Sequence, residues 1–233
     1  MRRETPATPD QPASADDEGR VGDRDREVLE DGARSVLGRP LDQRELALFE
    51  KYLSLLRKWQ RVQRLVGSPD PRWIIEHLLL DSLLFLQVIP NEASRVADLG
   101  SGAGFPGIPI KIVKPAIELT LIESKQRRVS FLATVVRDLA LSGTGVLSSR
   151  AEAVDDQWRG VFDVVVARCA GQIARILPAA SRLARQGGVV ILADSPSRRP
   201  LEQCERVEVS GLRPGTTRAF AILRNASPPG ARH

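Results

Sequence analysis

Val96-Ala97-Asp98-Leu99-Gly100-Ser101-Gly102-Ala103-Gly104-Phe105-Pro106-Gly107, followed by Leu121-Ile122-Glu123, is the stretch on which the fold turns. A short apolar run ends in an acid. Four glycines between positions 100 and 107 then let the backbone turn tightly and approach a ligand with no Cβ in the way. Pro106 and Pro109 open the next apolar run, Ile108 to Val113, as prolines do at helix starts. A strand, a glycine loop, a helix and a second strand ending in Glu123 make a nucleotide-binding crossover.

Three glycine motifs compete for this loop. A phosphate-cradling P-loop ends in Gly-Lys-Ser/Thr, and here no lysine comes before Lys111. A dinucleotide fingerprint can be laid on Gly102, Gly104 and Gly107 with Glu123 as the ribose acid, but the strand already ends at Leu99, so its register is wrong. An acid at the strand end followed by Gly-x-Gly-x-Gly resembles the S-adenosylmethionine loop of class I methyltransferases. In that family the loop wraps the methionine part and the acid of the second strand, here Glu123, accepts the ribose hydroxyls. A glycine-rich turn without a ligand is the plain alternative.

Outward from the loop, strands and helices alternate: Val96 to Leu99, a helix to Val113, Ile117 to Ile122, a helix from Lys125 to Leu141, Thr144 to Leu147, Phe162 to Ala167, a helix from Gln172 to Ala184, then Val189 to Ala193. That rhythm predicts an α/β doubly wound parallel sheet. Glu205 to Val209 and Arg218 to Leu223 resemble the antiparallel hairpin that closes class I methyltransferase sheets at seven strands. Ligands of such sheets bind at the carboxyl ends of the strands, so Asp98 to Phe105, Glu123, Arg150 to Glu152 and Arg168 to Gly171 should converge on one crevice.

Ahead of the sheet, Leu46, Phe49, Leu53, Leu56 and Trp59 recur at helical spacing within Leu41 to Val66, with Asp42 placed as a cap. The other face carries Arg57, Lys58, Arg61 and Arg64, either a solvated face or a stripe turned to RNA. Trp73 to Val88 forms a second, very apolar helix. Residues 1–27 and 226–233 read as disordered tails, 28–90 as an N-terminal helical subdomain and 91–225 as the ligand-binding domain.

Composition narrows the class. With 42% apolar residues among 233, the core is ample. Two cysteines, Cys169 and Cys204, make no disulfide framework and two histidines no metal cluster, so a reducing cytoplasm and no metal are expected. No run is long enough to span a bilayer, and the early arginines lead into acids rather than a signal peptide. Residues 1–27 hold 5 basic and 8 acidic side chains, so the remainder carries a net charge of +8, which suits a polyanionic partner.

With four strand ends in place, the chain from about Leu41 to Arg224 resembles the glucose-inhibited division protein B family, bacterial methyltransferases acting on guanine N7 of small-subunit ribosomal RNA. The most specific part is Asp98 to Pro109, where the Phe105-Pro106-Gly107-Ile108-Pro109 tail separates this family from methyltransferases generally. Lys58-Trp59, His77 with Asp81-Ser82, Leu121-Ile122-Glu123-Ser124, Phe131-Leu132 and Arg150-Ala151-Glu152 support it. The resemblance implies S-adenosylmethionine as cofactor, bound by Asp98, Gly100, Gly102, Gly104, Phe105, Glu123, Ala151, Glu152 and Arg168, with backbone amides near Ala151 and Glu152 reading adenine. It implies ribosomal RNA or the small ribosomal subunit as partner; a monomer is expected.

The chain departs from that family on the substrate side. Arg64-Leu65-Val66 stands where the family has Asn-Leu-Thr, Asp194-Ser195 where it has Lys-Gly, and Cys169 where it has Ala. A divergent relative methylating a small molecule, and a cofactor-binding protein without turnover, are therefore the competing readings. Guanine N7 has a free lone pair and no proton to lose, so positioning replaces a general base, and Arg168 is the candidate that positions substrate through an acceptor edge or a phosphate. Its plain alternative is a salt bridge to Glu123 or Glu152. Cys169 as a nucleophile lacks the Pro-Cys or Thr-Cys context of cytosine methyltransferases and reads as a small buried thiol. His77 and Asp81, one helical turn apart, are either a functional pair or a clamp between helices and sheet; Trp59 and Trp73 are either core or base-stacking platforms.

Overall fold

The computed structural model describes residues 22–168, 173–195, 199 and 201–225. The expectations for Cys169, for Gly171, for most of the N-terminal tail and for residues 226–233 fall outside that range.

Seven strands form one sheet: β1 (Arg95–Leu99), β2 (Glu118–Glu123), β3 (Thr144–Ser148), β4 (Phe162–Ala167), β5 (Ala184–Asp194), β6 (Glu205–Ser210) and β7 (Thr217–Arg224). Their order is β3-β2-β1-β4-β5-β7-β6. The first five run parallel and β7 pairs antiparallel with β5 and β6. Strand order reverses between β1 and β4, which pair through Val96–Val164, Ala97–Val165 and Asp98–Val166. The loops after these two strands therefore diverge and open a crevice at their carboxyl ends. Strands β1, β2 and β4 are nearly continuous apolar runs because both faces of the sheet are covered.

One face is covered by the helices that precede the sheet and by α5 (Gly107–Val113) and α6 (Gln126–Asp138), the other by α7 (Ile173–Leu183). The leading helices are α1 (Asp23–Leu37) and α2 (Gln43–Gln60), then α3 (Pro71–Ile74), a π-helical segment Ile75–Leu80, α4 (Asp81–Leu83) and a 3-10 turn Leu84–Gln87. Asp42 caps α2 as its sequence position predicts: its carboxylate accepts the Glu45 N–H at 2.7 Å, and Glu45 returns a bond from the Asp42 N–H at 3.0 Å. Below that cap Leu46, Phe49, Tyr52, Leu53 and Leu56 are buried. Phe85 meets Phe220 of β7 edge-on at 4.8 Å, fastening the helical layer to the hairpin.

Two features differ from expectation. Helix α1 starts at Asp23, inside the stretch read as tail, and buries only Leu29 and Ala33. The second N-terminal helix is not uniform: its middle widens into a π-helix, a form frequently found at functional sites.

Candidate functional site

The glycine loop owes its shape to positive φ values, 75° at Gly100, 61° at Gly102 and 99° at Gly104. It is pinned to the second strand, because the Gly100 and Ser101 N–H groups both donate to the Ile122 carbonyl, at 2.8 and 3.0 Å. Asp98 is fully buried beneath it. One carboxylate oxygen, Oδ2, accepts the Gly107 N–H at 2.9 Å, while Oδ1 has no hydrogen-bond partner. Burial pushes the Asp98 carboxyl up to about 7, against the opposing pull of the Gly107 hydrogen bond, the nearby Ser101 hydroxyl and the Arg168 charge. Tyr52, the only tyrosine of the chain, supports the loop from α2 through a hydrogen bond to the Ala103 carbonyl at 2.5 Å. Burial raises its phenol well above the ordinary value, so it remains a donor.

Two clefts flank this loop and meet at Gly100. One, of about 670 Å³, has Glu123 at the end of β2 on its wall, with Leu99, Ile122, Ala151 and Ile176 as apolar lining and Glu152 at its rim. Glu123 is buried and already engaged: Oε2 accepts from Gly102 N–H at 2.9 Å, and Oε1 from the Ser124 and Lys125 N–H groups at 2.8 Å each. A carboxylate has about four lone-pair sites, so one acceptor position is left on Oε2, with Arg128 3.8 Å away. The other cleft, of about 590 Å³, is walled by Gly102, Phe105, Arg128, Arg168, Arg218 and the Leu65-Val66-Gly67 turn, together with Ala193, Asp194 and Ser195. Both clefts lie at the carboxyl ends of the strands.

Of the residues expected here, Gly100 lines both clefts, Gly102, Phe105 and Arg168 the second, and Glu123, Ala151 and Glu152 the first. Asp98 lies behind the loop and acts by holding it. Gly104 faces inward. A Cβ there would meet Ile108 Cδ1 at 2.3 Å and the Tyr52 hydroxyl at 2.9 Å, so packing under the loop requires that glycine.

Arg168 is not paired with Glu123 or Glu152. Its Nη2 lies 3.2 Å from Asp81 Oδ2 and donates to the His77 carbonyl at 2.9 Å. Asp81 is shared: Arg218 Nε lies 3.0 Å from Oδ1, out of line for a hydrogen bond, and Arg218 Nη2 donates to Oδ2 at 3.3 Å. Two guanidiniums thus converge on one carboxylate, and together they wall the second cleft. His77 and Asp81 do not act on one another. The imidazole lies flat on Trp73 at 5.0 Å, with Nδ1 3.1 Å from the Trp73 carbonyl. Trp59 packs edge-on against Phe131 at 5.5 Å. Glu152 pairs loosely with Arg175, at 3.8 Å. Sequence reading missed Arg218, Arg128 and Tyr52. Strand alternation puts Arg218 on a face but does not name what it meets, and Tyr52 hides in an apolar stripe.

Among the described residues no group of side chains is placed to hold a metal ion, and no helix is long and apolar enough to cross a membrane.

Comparison with known proteins places this geometry among relatives. Residues 45–214 match the family model GidB, described as rRNA small subunit methyltransferase G. The chain is 39% identical over 153 residues to the ribosomal RNA small subunit methyltransferase G of Roseiflexus castenholzii, an alignment covering 65% of each chain. It is 32% identical over 203 residues to the protein of that name from Xanthomonas oryzae, covering 83% of this chain and 93% of that one. The fold is similar to that of TYW2 from P. horikoshii, solved in complex with MeSAdo, at a TM-score of 0.51 and 15% identity, covering 69% of this chain and 64% of the other.

Proposed function

This chain belongs to the GidB family, the rRNA small subunit methyltransferases G, and from that membership we propose that it transfers a methyl group from S-adenosylmethionine to N7 of a guanine in 16S ribosomal RNA. The observation that carries the reading is the junction at Gly100. A cleft with one spare carboxylate acceptor and an apolar lining meets there a second cleft lined by arginines.

The first cleft suits an adenosine. The remaining acceptor position of Glu123 takes a ribose hydroxyl, and Leu99, Ile122, Ala151 and Ile176 give an aromatic base apolar walls. At Gly100 a Cβ would meet nothing within 4 Å and would stand in the opening, so the backbone itself is free to face the ligand. Asp98, buried beneath the same loop, holds its far end in place through the Gly107 N–H. When bound, S-adenosylmethionine supplies a methyl group on a positively charged sulfur.

The second cleft receives the target base. N7 of guanine has no proton to give up, so the residues around it need only orient it and leave the lone pair free. Arg168 is suited to orienting the base. Held by Asp81 and the His77 carbonyl, it offers its remaining N–H groups to the O6 acceptor of guanine or to a phosphate. Phe105 and Leu78 supply apolar surface on the walls of the same cleft.

Incubation with methyl-labelled cofactor and deproteinised small subunits, followed by nucleoside mass analysis, tests the assignment. Label recovered as N7-methylguanosine is expected; absence of label in ribosomal RNA overturns it. A second reading, a small-molecule acceptor, draws on Asp194, an anion in the target cleft. Label appearing in a small-molecule extract and not in RNA selects it.

A further inference from the structure

One edge of the target cleft carries features that neither cofactor binding nor core packing uses. Between Lys51 and Pro69 the chain has five cations and no acid, and between Lys125 and Arg137 four cations and no acid. The structure puts these two stretches side by side. Gln63 Nε2 donates to the Arg127 carbonyl at 3.3 Å, Trp59 packs on Phe131, and Lys51 reaches the Asp138 carbonyl. Lys58, Arg61, Arg64, Lys125 and Arg127 are all exposed on the resulting surface.

The turn between them is built rigidly. The Gln60 carboxamide accepts the Leu65 and Val66 N–H groups at 2.7 and 3.1 Å and donates to the Val66 carbonyl at 3.0 Å. Leu65, Val66 and Gly67 wall the target cleft, while Val62, at 87% exposure, is the one large apolar side chain fully presented to solvent among the described residues. A single exposed apolar residue is ordinarily unremarkable. Here it lies in the chain between Arg61 and Arg64, three residues before the Leu65-Val66-Gly67 wall of a cleft that must admit a base.

Guanine N7 in an A-form helix lies in a deep, narrow groove that side chains do not enter, so the base must be presented unstacked. That demands cations along the backbone and apolar surface for the neighbouring base, as in proteins that wedge apolar side chains between base steps. We propose that the Arg61–Gly67 turn, with the adjoining start of α6, is the edge that grips ribosomal RNA: Lys58, Arg64 and Arg127 hold phosphates and Val62 presses against the base beside the target. This rests on the function proposed above.

Binding of a 16S ribosomal RNA transcript, followed from about 50 to 200 mM salt, tests it. In K58A/R64A/R127A the affinity falls and the slope of log affinity against log salt shrinks by about 2 to 3. V62A leaves that slope intact and lowers methyl incorporation about fivefold. Calorimetry should give wild-type cofactor affinity for both variants, and wild-type melting temperatures show that they fold. A wild-type salt slope in the triple variant, or wild-type methylation by V62A, overturns the proposal. Wild-type protein that places no label in ribosomal RNA fails the function itself, whereas wild-type methylation with an unchanged variant slope fails only the docking edge.

Discussion

Asp81 Oδ2 lies 3.2 Å from Arg168 Nη2, at the point where the helical layer meets the end of β4. The same carboxylate holds Arg218, so it offsets two positive charges that would otherwise repel at short range. Asp81→Asn keeps the shape and removes the charge. Methyl transfer should fall roughly 10- to 100-fold as Arg168 loses its fixed orientation, stability should drop by about 1–3 kcal/mol, and calorimetric cofactor affinity should stay within error of wild type. Equal loss of cofactor binding and turnover would show that Asp81 supports the whole crevice rather than the arginine.

The glycines of the loop should separate by what lies beyond each. At Gly104 an added Cβ would strike Ile108 and Tyr52, with φ at 99°, so Gly104→Ala should cost about 2–4 kcal/mol of stability through strain and overpacking. At Gly102 the nearest atom is Arg128 Nη1 at 3.7 Å, so Gly102→Val incurs mainly the positive-φ cost of about 1–2 kcal/mol while its branched side chain occupies the ligand's approach. Calorimetry should find no cofactor binding by the folded Gly102→Val protein. Thermal melts that rank the two variants the other way would contradict this division.

Much of this architecture is legible in the chain alone, and the reason is physical. Parallel strands covered on both faces are nearly continuous in apolar residues, so Val164-Val165-Val166 and Leu119 to Ile122, broken only by Thr120, stand out as runs. A loop that needs positive φ at several positions must be written in glycine. Helix α1 escapes notice because its charged sequence buries only Leu29 and Ala33. The π-helical widening at Ile75–Leu80 leaves no mark, since an apolar run looks the same whether its backbone hydrogen bonds span four residues or five. The convergence of Arg168 and Arg218 on Asp81 joins three elements far apart in the chain, so no local spacing announces it.

At the opposite end of the sheet, Asp163 ties three segments together. Its Oδ2 accepts from the Ser94 N–H and hydroxyl and the Arg95 N–H at 2.8 to 2.9 Å, and Oδ1 takes Arg185 Nε at 2.5 Å. These donors hold the carboxyl well below the usual carboxylate range despite desolvation. With the folded pKa depressed, its contribution is present above pH about 4, the unfolded value, and fades as pH falls further. Asp163→Ala should therefore destabilise at pH 7, and the gap between it and wild type in acid unfolding should narrow below about pH 4. A gap that stays constant down to acid pH would mean that the loss is packing and not charge.

Asp98 should behave with the opposite sign. Its folded pKa is raised to about 7 by burial, above the unfolded value near 3.8, so the folded state holds a proton that the unfolded state has released across that window. The contribution to stability is complete below about pH 4 and is lost as pH rises through about 7, by a few kcal/mol at most. Asp98→Asn retains an acceptor for the Gly107 N–H and cannot ionise. Unfolding in denaturant should show the variant gaining on wild type between about pH 5 and pH 8. Parallel pH profiles of stability for the two proteins would mean that Asp98 does not titrate in this range.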